Sequence, residues 1–136
     1  EATNGLDILF REEILKLLQQ YIEDGEHSVL FATHILDDLE QIADYIVMVE
    51  DGRVLLQDTK EALTESYILV KGDESLLAGG NRDGYLLGVK RSAYGFSALI
   101  KADNAALLPA GTVMEKPDVS QIMSYLMKGH EKLDIN

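Results

Sequence analysis

The chain contains no cysteine. That excludes a disulfide framework, a thiolate metal cluster and a thiol nucleophile, and is neutral about the redox state of the compartment. No apolar run approaches the roughly 18 residues that span a bilayer, and Glu1-Ala2-Thr3-Asn4 has neither the basic region nor the apolar stretch of a secretory signal. Positive charge is scarce, with 12 Lys and Arg against 24 Asp and Glu, a net charge of −12. Such a balance argues against a nucleic-acid partner held through its phosphates. No G-x-x-x-x-G-K-[ST] loop occurs, so the sequence offers no recognisable cradle for nucleotide phosphates. What remains is 136 residues, 46% hydrophobic and 26% charged, enough for one compact core or two small ones.

The charge is unevenly placed. Residues 1–66 hold 16 acidic and 4 basic side chains, which is the whole −12, whereas residues 67–136 hold 8 of each and balance to zero. This asymmetry marks two differently built segments, divided near Glu65-Ser66 into units 1–65 and 66–136. Glu1 is not Met, and turn-like Asn4-Gly5 leads straight into a helix, so the sequence reads as continuing something upstream.

Asp7 can cap a helix whose apolar positions Phe10, Ile14, Leu17, Leu18 and Tyr21 have helical spacing, with Gly25 as its stop. Val29-Leu30-Phe31-Ala32 suits a strand buried on both faces, as in a parallel sheet covered by helices. A short helix begins at Asp37-Asp38, and Asp51-Gly52 between apolar runs is a hairpin signal. Thr59 can cap another short helix. In the second half, strands are expected at Tyr67–Val70, Tyr85–Val89, Phe96–Ile100 and Thr112–Met114. A turn is expected at Ser75–Leu77, ended by Gly79-Gly80. Asp118 caps a final helix with Val119, Ile122, Met123 and Leu126 as its buried stripe, and the tail from Gly129 is expected to fray.

His34 stands where the expected buried strand ends, the place where open α/β sheets bind ligands. A metal site through His34, Asp37 and Asp38 is not expected, because aspartates at a helix start are explained by capping and the helix dipole. His27 and His130 read as exposed, and Glu12, Glu13, Glu23, Asp24 and Glu26 as a solvated helix face.

Several of these segments together resemble the ATP-binding subunits of ABC transporters. Glu1-Ala2-Thr3-Asn4-Gly5-Leu6-Asp7 is similar to the stretch in which the catalytic glutamate closes the Walker B motif and the D-loop follows, with Ala2, Asn4 and Ile8 departing from the usual pattern. Phe31-Ala32-Thr33-His34-Ile35-Leu36 looks like the H-loop, and Asp38 to Ile46 and Asp51-Gly52-Arg53-Val54 continue the likeness. Gly88-Val89-Lys90-Arg91, Tyr94-Gly95-Phe96 and Pro117 to Met123 are similar to the C-terminal extension of bacterial export-type members, including those linked to antibiotic resistance.

The resemblance implies an α/β fold, the C-terminal part of a P-loop ATPase core followed by a small α+β accessory domain. It implies that Glu1 polarises the attacking water, that His34 contacts the γ-phosphate and that Asp7 reaches across a nucleotide-sandwich dimer. ATP and Mg2+ are then the cofactors of the parent protein, with none expected on this portion alone. Membrane permease subunits and a second ATPase subunit are the implied partners, at the inner face of the cell membrane. In the family the Walker A loop, Walker B aspartate, Q-loop and signature motif precede the segment matched here, so catalysis by this portion alone is not expected. Leu77-Ala78-Gly79-Gly80-Asn81 resembles the signature only faintly and reads as a turn. Without partner strands, Val29–Ala32 is expected to expose apolar surface. The alternative is a non-catalytic regulatory or dimerisation module, with residues 67–136 docking on a protein partner.

Overall fold

A computed structural model describes residues 7–77 and 84–134, with 128–134 as backbone alone. Glu1, Gly79-Gly80 and the side chain of His130 lie outside the described residues.

Asp7 caps helix α1 (Ile8–Ile22), its side chain accepting the Phe10 N–H at 3.0 Å, and Gly25 follows the helix with φ +73°. The period is as expected, but the buried face is rotated. Leu15 is the buried residue of the helix, flanked by half-buried Arg11, Ile14, Leu18 and Ile22, while Phe10, Leu17 and Tyr21 are exposed. Tertiary contacts chose the side: Arg11 and Gln19 reach toward α2 (Leu36–Ile42), so the helix turns that face inward.

The expected parallel strand at Val29–Ala32 is not formed. Both sheets of the described residues are antiparallel, and this segment pairs with neither. A doubly buried strand needs ladder partners to satisfy its N–H and C=O groups. Lacking them, the segment runs without regular structure and leaves Leu30 fully exposed.

The hairpin forms where Asp51-Gly52 placed it, joining β1 (Tyr45–Glu50) to β2 (Arg53–Thr59). Asp51 and Gly52 have φ +49° and +75°, the two left-handed positions of a type I′ turn, whose twist matches the flanking strands. Ile46 and Met48 point inward, whereas Tyr45, Val47 and Val49 face outward. Thr59 caps α3 (Lys60–Ser66) by accepting the Ala62 N–H at 3.1 Å.

The second sheet has the order β4-β5-β3-β6 from β3 (Tyr67–Gly72), β4 (Leu87–Ser92), β5 (Gly95–Lys101) and β6 (Val113–Glu115). Strand β4 starts two residues later than the sequence suggests, and a bulge between Leu87 and Lys90 accommodates Gly88 at φ +60°. Successive residues of β3 and β5 serve opposite faces. Leu69 and Leu99 meet α4 (Val119–Asp134), while Val70, Ala98 and Ile100 form a second cluster with Leu86 and Phe96, flanked by Leu76, Ala105 and Leu108 from two 3₁₀ turns. Helix α4 begins with a reciprocal cap: Asp118 accepts the Gln121 N–H at 2.7 Å and Gln121 Oε1 accepts the Asp118 N–H at 3.0 Å. Val119, Ile122 and Met123 are buried, as their spacing implies, and the helix runs on past Gly129 to Asp134.

The first cluster joins both halves of the chain. Ile46, Met48 and Leu63 pack with Leu69, Leu99, Val119, Ile122, Met123 and Tyr125 in one continuous core.

Candidate functional site

His34 lies in the bend between the irregular segment 27–33 and α2, and it is exposed. The bend is held locally, since Thr33 Oγ1 accepts the Ile35 N–H at 2.9 Å. Ile35, at the helix cap, has no side chain that can accept, and Thr33 holds the N–H of that cap residue in a local side-chain turn.

The lip carrying His34 borders a cleft of about 1020 Å³. Leu18 and Ile22 of α1, Val29 to Phe31, Leu39 and Ile42 of α2, the outer side chains of β1, and Met123 and Met127 of α4 line it. Its titratable lining is His27, His34, Asp44, Tyr45 and Glu50, and no lysine or arginine lines it among the described residues. Such a cavity suits apolar matter and is electrostatically unsuited to a polyanion.

At the cleft rim, Asp24 Oδ1 accepts the N–H groups of Glu26 at 2.9 Å and His27 at 3.3 Å, and Oδ2 lies 2.6 Å from His27 Nδ1. The backbone bond from Glu26 is the largest cause holding the Asp24 carboxyl below its ordinary value, with the bonds to His27 adding to it against a partial desolvation. The His27 ring also stacks at a tilt on Tyr21, their centroids 4.5 Å apart.

Asp7 is engaged as the α1 cap and is not among the residues lining the cleft. Asp37 is exposed at the start of α2, in keeping with a helix-dipole role. Asp38 also lies in the first turn of α2, as expected, and is completely buried there, with Oδ1 3.2 Å from Arg11 Nε. Its carboxylate is enclosed in the α1–α2 junction. The available signal was Arg11 itself, one of only four cations in an acidic half. Among the described residues no three His, Cys, Asp or Glu side chains are grouped to hold a metal ion, and no helix is long and apolar enough to cross a membrane.

No protein-family model matches the chain. Among curated proteins, it is 32% identical over 66 residues to the molybdenum import ATP-binding protein ModC of Mannheimia succiniciproducens, covering 48% of this chain and 19% of that one. It is 36% identical over 66 residues to ABC transporter I family member 20 of Arabidopsis thaliana, covering 48% and 20%. It is 30% identical over 70 residues to the lantibiotic transport ATP-binding protein SrtF of Streptococcus pyogenes, covering 49% and 30%. About half of the chain is thus similar to ABC-transporter ATP-binding proteins, and the chain spans only about a fifth to a third of these relatives' length.

Proposed function

Because half of its length is similar to ABC-transporter ATP-binding proteins, we propose that the chain is the C-terminal portion of the ATP-hydrolysing subunit of such a transporter, of the bacterial export type. The observation that carries this reading is the similarity itself, together with an exposed His34 presented on a bend of fixed geometry. In the whole subunit Glu1 is the water-polarising base, His34 the γ-phosphate contact and Asp7 a residue reaching across a dimer of ATPase subunits. These are roles of positioning and charge stabilisation, which is what phosphoryl transfer demands of a protein. ATP with Mg2+ is the cofactor there, and its triphosphate is held by residues outside this chain. Residues 1–65 belong to the ATPase core and 66–136 to an accessory domain. Permease subunits are the partners, and the complex works at the cytoplasmic face of the membrane. The relatives' names specify different cargoes, molybdenum and a lantibiotic. We assign none.

The test is Glu1→Gln in the subunit that carries this segment. Turnover falls at least a hundredfold while ATP binding persists; normal turnover refutes the role of Glu1. The outcome expected for the chain by itself is no ATP hydrolysis, and measurable turnover by it overturns the division of labour proposed here.

A further inference from the structure

Helix α2, which follows His34 directly, is fastened to three other helices. Arg11 pairs with Asp38, and Gln19 Nε2 donates to the Gln41 carbonyl at 2.6 Å, both from α1. Lys60, the first residue of α3, donates from Nζ to the Glu40 carbonyl, and its own N–H reaches the Asp44 carbonyl at 2.9 Å. The fastening to α4 comes from far along the chain. Glu40 Oε1 accepts the Ser120 N–H at 2.9 Å, across 80 residues of sequence.

The chemistry of that last contact is specific. The first N–H groups of a helix have no partner within it and carry the positive end of its dipole. In α4, Asp118 and Gln121 satisfy one another, and the Ser120 N–H is left to a carboxylate supplied by α2. Lys60 Nζ stands 3.8 Å from the other oxygen, Oε2, so the Glu40 charge is held from two sides. Beneath this contact Leu36, Leu39 and Ala43 pack against the cluster containing Val119, Ile122 and Met123.

We infer that Glu40 is a positioning residue through which residues 67–136 fix the His34 bend: α4 holds α2 by its N-terminus, and α2 holds the bend. A shift of α4 on the second sheet is then transmitted to His34 without passing through the cleft. The contact gives the charge-neutral half a direct hold on the acidic half, and it couples two segments by hydrogen bond and charge in addition to apolar packing.

The consequence for catalysis rests on the proposed role of His34. The test reads conformation in this chain, so failure of either idea leaves the other standing. Amide hydrogen exchange and the His34 ring resonances are compared in the full chain, in Glu40→Ala and in Glu40→Gln. Glu40→Ala speeds exchange at residues 36–43 about tenfold and moves the His34 resonances, while β3 and β5 stay within about twofold of wild type. Glu40→Gln keeps an acceptor for the Ser120 N–H and restores most of the protection. Unchanged exchange and resonances in Glu40→Ala overturn the inference. So does equal acceleration in β3 and β5, which signals loss of the fold alone, or a Glu40→Gln variant as loose as Glu40→Ala.

Discussion

Gly88→Ala tests how closely β4 and α4 approach. Gly88 has φ +60°, and a Cβ added there stands 2.0 Å from the Tyr125 carbonyl oxygen and 2.9 Å from its Cα. The left-handed conformation alone costs an alanine about 1 kcal/mol. The overlap adds more, because the obstruction is backbone and no rotamer change relieves it. Opening it to van der Waals distance moves α4 away from β4 by more than an ångström, loosening Val119, Ile122 and Met123 from Leu69 and Leu99. Overpacking of this kind costs roughly 1–3 kcal/mol in a close-packed core. The total is about 2–4 kcal/mol, a large part of the roughly 5–15 kcal/mol that stabilises a typical domain. Gly84→Ala is the internal control, with φ +66° and nothing within 4 Å of the added Cβ. Urea unfolding followed by circular dichroism measures both. With a slope of about 1–3 kcal/mol/M, Gly88→Ala lowers the midpoint by on the order of 1 M or more, and Gly84→Ala by much less. Equal midpoints for the two variants refute the steric account.

Two further outcomes are accessible on the same chain. Arg11→Ala removes the guanidinium facing buried Asp38 and costs about 2–4 kcal/mol in urea unfolding, since it leaves a buried carboxylate without that partner; a loss below about 0.5 kcal/mol contradicts this role. Asp24, whose carboxyl is held below the ordinary 3.8 by the Glu26 N–H first and by the bonds to His27 after a partial desolvation, titrates by carbon NMR below that value. The sign follows from a folded pKa lower than the unfolded one: the turn at residues 24–27 is favoured above pH 3.8 and loses that contribution as pH falls through the lowered value. An Asp24 titration at or above 3.8 removes the claim.

The parts of the fold that the sequence announces are those whose causes are local. Asp7, Thr59 and Asp118 each meet an N–H three residues on, and Asp51-Gly52 closes its own turn, so neighbours in sequence suffice. The stripe of α4 is legible because its apolar residues are spaced on one face and a sheet is there to receive them. Val29–Ala32 is misread because strand character depends on a ladder partner, and β-propensity cannot supply one. On α1 the period is right and the face is displaced: Ile14 and Leu18 are half-buried as expected, while Phe10, Leu17 and Tyr21 are exposed. Two adjacent apolar rows compete, and Arg11 and Gln19 settle the choice through contacts 22 to 27 residues away. At the site, the expectation for His34 rested on the end of a buried strand that does not form, and the burial of Asp38 and the contact of Glu40 with α4 depend on partners 27 and 80 residues away that no local pattern announces.

The core that unites Ile46, Met48 and Leu63 with Leu99, Val119 and Ile122 constrains how this chain can vary. Net charge is partitioned at residue 66, and the ion pairs found among the described residues each stay within one half. Volume is not partitioned. A methyl group gained at Leu99 or Ile122 has to be given up on the far side of that boundary, at Leu63 or in the inward row of β1, or the close packing is lost. In a set of variants of this chain, compensating size changes should therefore join the two halves, while compensating charge changes should stay within each of them, apart from the contact of Glu40 with α4.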